Sequence, residues 1–571
     1  MSSLVKKSIS SFVVGCMIIL FLAPRFAPQI QAFDILPSKQ LSRPDGFSGN
    51  ITNLSIEHIV GGLGLTAVMI NNGNVPLNNI SVSIGMTNGY LVRLKTSTLL
   101  IPSLAINEST DIHIKLIGIS LGKIFPLTGI IIIVNFSECL QKELRIVTMV
   151  LGPFTKIITT YFTGEAFNGY TLFSPEYSKK TLLMDKQGNI VHTWESKYLQ
   201  GLGLSLLKNG DLLRTILLFN NPVFIAGGMT GGIELFDWNG TKRWQYNYSN
   251  NQHCLHHDFT TLPNDNILMI AWEYKTADEA IVAGRDPNSL PTGELWPDHI
   301  IEVQRTGPFQ GIIVWEWHVW DHLIQDFDPT KQNYGIVEEH PELIDINYDS
   351  EVGKQRADWN HVNSIDYSEE FDQILISVKN FHEIWVIDHS TTTEEATGHY
   401  GGNSGKGGDL LYRWGNPAAY RRGTSNDRKL FAQHDASWIK PGCPGEGNIL
   451  VFNNGQGRPE GQYSSVDEFI PPVDKTGHYY LEPDTAYGPE ELAWSYSATN
   501  PFDFFAGYLS SAQRLLNGNT LICDGDHGHF FEVTEEKKTV WMYQNMIPNP
   551  IANQVFKVIC YAPDYPGLRY L

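Results

Sequence analysis

Three histidines stand at equivalent places in three stretches of similar sequence. His257 lies in HHDFTTLPNDNIL, His361 in DWNHVNSID and His434 in QHDASWI. Each precedes an apolar stretch with the pattern of a β-strand, and a polar turn and a second strand follow. Imidazole titrates near neutrality, so three such groups in one place could bind an anion, act as a nucleophile or hold a metal ion.

A single histidine at such a position is more often a buried residue with satisfied hydrogen bonds than a functional one. Three of them at the same phase of a repeat favour a common site. The residues alone leave two kinds of chemistry open. One is a His₃ zinc site, and the other is anion binding with nucleophilic attack by one imidazole.

A cation stands close to this pattern. Lys379 follows the second strand of the His361 repeat, in ILISVKN, and Asn454 takes the equivalent place in the His434 repeat. A lysine is commonly a solvated surface charge, but at this phase it would face the same centre as the histidines. We therefore predict that Lys379 acts with the three histidines as a catalytic residue.

Three further side chains are candidates for substrate binding, namely His256, Asn454 and Trp359. His256 is the neighbour of His257, and the indole of Trp359 could stack on a planar substrate, although packing in the core is the commoner use of tryptophan. No CxxC pair or other zinc-type spacing occurs in the chain, so no metal ligands are predicted.

The histidine stretches belong to a unit that recurs between residues 160 and 571. Each unit has a first strand, an NGN-like turn, a second strand, a third strand and a fourth strand with tryptophan; the best copy is residues 510–544. About six such units predict a six-bladed β-propeller, in which first strands line the central channel. The imidazoles should then converge there, and the tail YAPDYPGLRYL should supply a strand that closes the ring.

The region before the repeats has a different pattern. Residues 33–155 alternate short apolar runs with Asn/Gly turns, which predicts an immunoglobulin-like β-sandwich. Residues 1–32 have two lysines, about a dozen apolar residues and a polar exit, the layout of a signal peptide or an N-terminal membrane anchor. We expect an exported protein, extracellular or periplasmic, either secreted or anchored. Seven N-x-[ST] sequons agree with export: Asn50, Asn53, Asn79, Asn107, Asn135, Asn239 and Asn247.

Composition excludes some classes of function. The 571 residues carry 61 acidic and 41 basic side chains, a formal net charge of −20, without a basic block, which argues against a nucleic-acid partner. Five widely spaced cysteines follow Cys16, so neither a disulfide scaffold nor a cysteine metal site is indicated.

Residues 160–571 resemble the bacterial arylsulfate sulfotransferase family. The resemblance is carried by HHDFTTLPNDNIL, DWNHVNSID, ILISVKNFHEIWVID, QHDASWI, NGNTLICDGDHGHFFEV and the terminal YPGL, in this order. It implies an exported six-bladed propeller, often preceded by a β-sandwich. The implied reaction moves a sulfuryl group from a phenolic sulfate ester to a phenol. It is ping-pong through a sulfohistidine, and it needs neither a nucleotide sulfate donor nor another cofactor.

By this resemblance His434 matches the nucleophile. His257 and His361 match the histidines that hold the sulfate oxygens and assist proton transfer. The family has an arginine where this chain has Lys379. The point charge of an ammonium group therefore replaces a planar guanidinium, which can bind two oxygens at once. The bacterial enzymes also have a disulfide near the nucleophile, for which Cys443 has no partner close in sequence.

Two other functions remain open from the sequence. A non-catalytic extracellular binding propeller with the sandwich as a stalk would explain the missing arginine, and a His₃ metalloenzyme would use the same imidazoles. The expected partners are small phenolic sulfates and phenols, with a possible membrane anchor at the N-terminus. The sequence does not determine the oligomeric state, the physiological donor and acceptor or the fate of the signal segment.

Overall fold

The computed structural model describes residues 54–71, 73–87, 91–120, 128–136, 140–162, 164–350, 356–549 and 552–571. The predicted signal or anchor segment, residues 1–32, and the start of the predicted sandwich lie outside these ranges. The chain divides into two compact units, Met1–Phe167 with Phe531–Asn545, and Asn168–Phe530 with Met546–Leu571. Within the described residues, no helix is long and apolar enough to cross a membrane.

The first unit is built from antiparallel strands. Its first eleven strands are β1 (Leu54–Val60), β2 (Gly62–Leu63), β3 (Leu65–Asn71), β4 (Leu77–Thr87), β5 (Val92–Leu94), β6 (Thr98–Leu104), β7 (Ser109–Ile114), β8 (Leu116–Ser120), β9 (Thr128–Phe136), β10 (Leu140–Gly152) and β11 (Phe154–Phe162). Strands β1, β3 and β7 form one sheet, and a second runs in the order β6-β4-β9-β10-β11.

The period-two pattern of the sequence explains the core of this unit. In β4, Ile80, Val82 and Ile84 are buried, and the residues between them are less so. Ile130, Ile132 and Val134 of the paired strand β9 are buried in the same way. Alternate side chains of a strand point to opposite faces, so these isoleucines and valines cover one face of the sheet.

The second unit consists mainly of four-stranded antiparallel sheets. The first sheet contains β12 (Tyr170–Pro175), β13 (Lys180–Met184) and β14 (Ile190–Glu195), and the second contains β15 (Gln200–Leu206), β16 (Leu212–Leu217), β17 (Gly231–Phe236) and β18 (Lys242–Asn247). The third contains β19 (His253–Thr261), β20 (Ile267–Glu273), β23 (Asp298–Gly307) and β24 (Gln310–His318). A short separate pair, β21 (Lys275–Thr276) and β22 (Glu294–Leu295), lies in the chain between β20 and β23.

The parallel pair β25 (Leu323–Ile324) and β26 (Ile344–Asp345) precedes two more such sheets. These are β27 (Val362–Ser368), β28 (Gln373–Val378), β29 (Glu383–Asp388) and β30 (Tyr412–Trp414), and β31 (His434–Trp438), β32 (Ile449–Asn453), β33 (Ser465–Phe469) and β34 (Trp494–Tyr496). The remaining strands are β35 (Ser511–Arg514), β36 (Thr520–Asp524), β37 (His529–Val533), β38 (Thr539–Gln544), which pairs with β11, and β39 (Val555–Tyr561).

Helices are few and short in the described residues. They are α1 (Ala277–Val282) and α2 (Thr393–Ala396), with 3₁₀ turns at Pro287–Ser289, Val319–Asp321, Val337–Glu339, Lys379–Phe381, Pro417–Tyr420, Ser425–Asp427, Pro501–Asp503 and Pro566–Leu568. Many small antiparallel sheets therefore make the chain nearly all β, which confirms the predicted fold class at that level.

The predicted NGN turns are present as hairpins. Gly210 joins β15 to β16 and Gly518 joins β35 to β36, with φ of 91° and 88°. Glycine reaches such angles without steric cost, which is why this turn repeats in the sequence.

The first strands of successive sheets are neighbours. Strands β15, β19, β27, β31 and β35 contact one another in this order, and β39 contacts both β35 and β15. β39 pairs with β12 and so completes the first sheet with the end of the chain. The pairing strand lies just before the predicted tail and shares only Tyr561 with it, since Pro563 and Pro566 cannot donate to a ladder.

Candidate functional site

The three predicted histidines lie at or next to the first strands of three successive sheets. His257 lies within β19, His361 directly precedes β27 and His434 begins β31. The rings of His257 and His361 are 4.7 Å apart between centroids. All three residues are buried, with exposed fractions of 3%, 6% and 3%. A positive charge on the His434 ring would lower the pKa of both other histidines, so the three rings form one electrostatic cluster.

An unusual backbone aims these side chains. His257 and His361 have φ of 51° and 57°, and Asp435, directly after His434, has φ of 52°. The pairing register shifts at two of these points, between Leu255 and Phe259 and between His434 and Ser437. Left-handed backbone at non-glycine residues is strained and is concentrated at functional sites, and bulges re-aim side chains.

Hydrogen bonding fixes the tautomer of His434. Its Nδ1 is 2.8 Å from Oδ1 of Asn454, whose Nδ2 donates to the carbonyl oxygens of Ala506 and Leu509. The amide oxygen must therefore accept a hydrogen bond from Nδ1–H, which leaves Nε2 of the neutral ring unprotonated. The side chain of Asn454 is fully buried and contacts His434, and its predicted role in substrate binding stays a prediction.

His434 is neutral at physiological pH. Burial and then the positive charge of Lys379 lower the pKa of His434 to about 3, although the Asn454 hydrogen bond acts in the opposite direction. A neutral imidazole with a free Nε2 is the form that can attack an electrophile.

His361 is held by a carboxylate. Its Nδ1 lies 2.5 Å from Oδ2 of Asp358, and Oδ1 of Asp358 accepts a hydrogen bond from the indole of Trp272. Burial raises the pKa of Asp358 to about 6, so this carboxyl is ionised at neutral pH. Burial, followed by the charge of Lys379, holds the pKa of His361 well below its ordinary value. The ring therefore donates Nδ1–H and leaves Nε2 free.

His257 is held through a second histidine. Nδ1 of His257 is 2.8 Å from Nδ1 of His256, and Nε2 of His256 is 2.6 Å from Oδ1 of Asp298. His256 also stacks on Trp272, with centroids 4.1 Å apart. With Nε2 protonated beside the Asp298 carboxylate, Nδ1 of His256 accepts a hydrogen bond from Nδ1–H of His257. Both ring nitrogens of His256 thus face protein groups, and its role in substrate binding stays a prediction.

Lys379 lies at the more open side of the cluster. It begins the 3₁₀ turn after β28 and is half-buried, and its charge acts on the pKa of all three histidines. Burial lowers the pKa of Lys379, while Asp358 raises it. Arg356 is exposed, and its charge acts on Asp358 and Lys379. The predicted lysine therefore lies with the histidines, and the charge of an exposed arginine that was not predicted acts on it.

Trp359 lies in the hydrophobic core and not among the site side chains. Its exposed fraction is 2%, its ring packs edge-on against Phe381, and its indole nitrogen donates to the carbonyl oxygen of Tyr348. The guanidinium of Arg285 lies 5.7 Å from the ring. In this structure Trp359 packs in the core, and its stacking on a substrate stays a prediction.

Sequence reasoning missed an ion network beside the histidines. Nζ of Lys557, on β39, lies 2.6 Å from Oδ2 of Asp258 and 2.9 Å from Oδ1 of Asp435. These aspartates directly follow His257 and His434, so one ammonium group ties both histidine-bearing strands together. The repeated His-Asp pair was a visible signal for the aspartates, while nothing in the sequence pointed to Lys557.

A cavity of about 350 Å³ borders this network, and Asp258, Asp435 and Lys557 are among its lining residues. None of the predicted site residues lines it. Among the described residues Cys254, Cys443 and Cys523 are free thiols, and these three and Cys560 are buried. Cys16 and Cys139 lie outside those residues.

A model of the arylsulfotransferase (ASST) family matches residues 158–549. The chain belongs to the arylsulfotransferase family. This membership supports an arylsulfotransferase activity with small aryl sulfates and phenols as substrates. It agrees with the resemblance found in the sequence, and it covers the strands that carry all the histidines of the cluster. No curated protein sequence matches the chain significantly.

Several solved structures are similar at low identity. A Bacteroides caccae protein of unknown function is 11% identical, with 69% of this chain and 98% of that chain covered and a TM-score of 0.38. A putative 6-phosphogluconolactonase from Bacteroides fragilis is 9% identical, with 70% and 99% covered and a TM-score of 0.33. A streptogramin B lyase is 12% identical, with 68% and 79% covered and a TM-score of 0.32. No functional argument is drawn from scores this low.

Proposed function

We propose that this chain is an exported arylsulfotransferase that works without a nucleotide sulfate donor, by a ping-pong route through a sulfohistidine at His434. One observation carries the proposal. The side chain behind His434 is the neutral amide of Asn454, while the side chain behind His361 is the carboxylate of Asp358. A carboxylate stabilises an imidazolium and an amide does so much less, so these two rings are suited to different roles.

The first half-reaction follows from this difference. Nε2 of His434 attacks the sulfur of the aryl sulfate, an N–S bond forms, and the S–O bond to the phenol breaks with its electron pair on the phenolate oxygen. Binding of the anionic substrate favours protonation of His361 and His257, against the effect of burial. Their Nε2–H groups then donate to sulfuryl oxygens, and one of them supplies the proton that the leaving phenolate needs.

The second half-reaction reverses these roles. A phenol enters, the ring that lost its proton takes the phenolic proton, and the phenol oxygen attacks the sulfur bound to His434. Nε2 of His434 leaves with the electron pair of the N–S bond and is neutral again. Lys379 stabilises negative charge on the sulfuryl oxygens in both halves, as cations do in phosphoryl transfer. The half-buried Lys379 and the exposed Arg356 mark the side from which substrates enter.

The finer description of the fold belongs to the same proposal. Five four-stranded sheets, the hairpin of β35 and β36, and the succession of inner strands support a six-bladed propeller. The antiparallel sheets of the first unit support an immunoglobulin-like sandwich. The signal-like residues 1–32 and the sequons support export, either secreted or anchored.

The test replaces His434 with alanine in the purified full-length chain. We expect at least about a 10³-fold loss of 4-nitrophenol release from 4-nitrophenyl sulfate with phenol as acceptor, because of the three clustered rings His434 is the one whose Nδ1 contacts a neutral amide. His478→Ala, at an exposed histidine, is the matched control and should keep full activity.

Incubation of the wild-type chain with 4-nitrophenyl sulfate alone should place acid-labile sulfate on His434. Retained turnover in His434→Ala would remove this residue from the nucleophilic role. Binding of the ester without turnover or label in the wild type would favour the binding propeller. Activity that disappears with a chelator and returns with zinc would favour the His₃ metalloenzyme.

A further inference from the structure

A second cluster of ligand-type side chains uses none of the residues of the proposed sulfotransferase site. His322 follows the 3₁₀ turn Val319–Asp321, and His399 and Asp409 lie in the loop between α2 and β30. Nδ1 of His322 and Nδ1 of His399 each lie 2.8 Å from the same oxygen, Oδ1 of Asp409. We propose that His322, His399 and Asp409 form a binding site for a divalent transition-metal ion of the zinc class.

The second nitrogen of His322 supports this assignment. Its Nε2 is 2.9 Å from the carbonyl oxygen of Ala396, which can only accept, so Nε2 carries a proton. Nδ1 of the same ring therefore faces Oδ1 of Asp409, and a cation, either a proton or a metal ion, must lie between these two atoms. Histidines that bind metals commonly donate the other N–H to a backbone carbonyl, which fixes the ring for coordination.

The surroundings hold His322 and Asp409 firmly. Both residues are buried, and the indole of Trp317 stacks on the His322 ring with an interplanar angle of 9°. A Cβ on Gly408 would lie 2.6 Å from Nε2 of His322 and 2.1 Å from the carbonyl oxygen of Ala396, so only glycine lets the loop approach this closely. The glycine-rich loop is therefore built around the His322 ring.

The donor set indicates the kind of ion. Two imidazole nitrogens and one carboxylate oxygen suit Zn²⁺, Co²⁺ or Ni²⁺, whereas Ca²⁺ and Mg²⁺ prefer oxygen ligands throughout. Bonds of about 2.0–2.2 Å in a tetrahedron separate the ligand atoms by roughly 3.4 Å, so the cluster must open by about 0.6 Å. His399 can supply that movement, because its side chain is 52% exposed. The same exposure leaves room for a water molecule as the fourth ligand.

The ligands come from separate parts of the sequence, 87 residues apart for His322 and Asp409 and 10 apart for His399 and Asp409. This spacing matches no zinc motif, which is why the sequence did not predict the site. A bound ion would tie the loop after α2 to the segment after β24 and would stabilise the folded chain without entering the sulfuryl-transfer chemistry.

The experiment uses the full-length chain after treatment with a chelator and its removal. Titration with ZnCl₂ should show one saturable site per chain, and CoCl₂ should give the visible absorption bands of tetrahedral Co²⁺. His399→Ala should weaken zinc binding at least tenfold and abolish the Co²⁺ spectrum. This variant should fold, because the side chain is exposed. His478→Ala removes another exposed histidine beside a carboxylate and should bind as the wild type does.

Two results would overturn the proposal. The first is the absence of a one-to-one zinc site in the wild type, which would leave a hydrogen-bonded His-Asp-His group only. The second is zinc binding that His399→Ala does not change. A rise of the melting temperature with zinc in the wild type and in His478→Ala, without a rise in His399→Ala, would support the site independently of catalysis.

Discussion

The group that accepts the hydrogen bond from Nδ1–H determines how readily each histidine of the cluster can take a positive charge. The carboxylate of Asp358 can balance a positive charge on His361. The neutral amide of Asn454 cannot, so protonation of the buried His434 ring is unfavourable. The pKa of His434, lowered to about 3, keeps its Nε2 unprotonated across the physiological range. In the proposed mechanism, an amide behind His434 and a carboxylate behind His361 separate the nucleophile from the proton donor.

Replacing Asp358 with asparagine tests this separation. The amide can accept from either Nδ1 of His361 or the indole of Trp272, but it must present NH₂ to the other. We expect His361 to take the opposite tautomer in part of the molecules and kcat/KM for 4-nitrophenyl sulfate to fall about 10²–10⁴-fold.

The pH profile provides the second readout. Because burial raises the pKa of Asp358 to about 6, wild-type kcat/KM should be full above that pH and fall as the carboxylate is protonated below it. This acid limb should be absent from Asp358→Asn. Asp372→Asn is the matched control, since Asp372 also holds a histidine Nδ1, that of His389 at 2.7 Å, outside the cluster. An unchanged acid limb in Asp358→Asn would contradict the assignment.

At the scale of the strand, irregular backbone places the rings. The amide of His257 donates to the carbonyl oxygen of Gly228, in the loop between β16 and β17, and this contact accompanies the left-handed turn in β19. A regular strand would alternate its side chains between the two faces. The bulge releases His257 from that alternation and lets its ring approach His361.

Gly228→Ala should displace the ring of His257. A Cβ at this position would lie 1.8 Å from Cε1 of the imidazole, and Gly228 has φ of 89°. A shift of about 1 Å in a positioning group can cost on the order of 10² in rate, so we expect that loss in kcat/KM. Gly240→Ala is the control, because Gly240 has φ of 81° and open space around its Cβ.

Both alanine variants have a similar backbone cost of about 1 kcal/mol in stability. Gly228→Ala adds the cost of moving the His257 ring, so its melting temperature should fall at least as far as that of Gly240→Ala. The loss of activity should occur in Gly228→Ala alone. An equal loss in both variants would show that backbone strain, and not the displaced imidazole, reduces the rate.

At the scale of the whole molecule, the repeat pattern predicted much of the architecture. The NGN turns, the four-stranded units and the equivalent phase of His257, His361 and His434 could all be inferred, because hydrophobic periodicity and turn chemistry are local properties. Family membership confirms the resemblance that the quoted motifs carried. The domain boundaries at 33–155 and 160–571, the export and the catalytic roles stay predictions.

The sequence could not predict which side chains stand behind the rings. Asp298 reaches His256 from a strand 42 residues later, and Lys557 reaches Asp258 across 299 residues. Such contacts depend on which strands the fold brings together, and no spacing in the sequence encodes them. The surroundings of His256 and Trp359 could not be predicted for the same reason, because the repeat phase gives a position on a strand but not the partners around it.

Lys557 connects β39 to two of the strands that carry the clustered histidines. It lies on the last strand, and its ammonium group joins carboxylates on β19 and β31. The two negative charges raise the pKa of Lys557 against the effect of burial, so the group stays positive. Removing this one cation would leave Asp258 and Asp435 close together and almost completely buried, with like charges and no counterion.

Lys557→Met should therefore lower the free energy of unfolding by about 3–5 kcal/mol, the usual cost of leaving a buried charge without its partner. The triple variant Lys557→Met, Asp258→Asn, Asp435→Asn removes all three charges and should recover most of that loss. Urea unfolding followed by tryptophan fluorescence measures both free energies of unfolding.

Activity distinguishes a role of Lys557 in positioning the histidines from a role in stability alone, because the triple variant still lacks the ion bridge between the strands of His257 and His434. We expect its kcat/KM to stay at least tenfold below wild type, and a triple variant with full activity would reduce the network to a stabilising role.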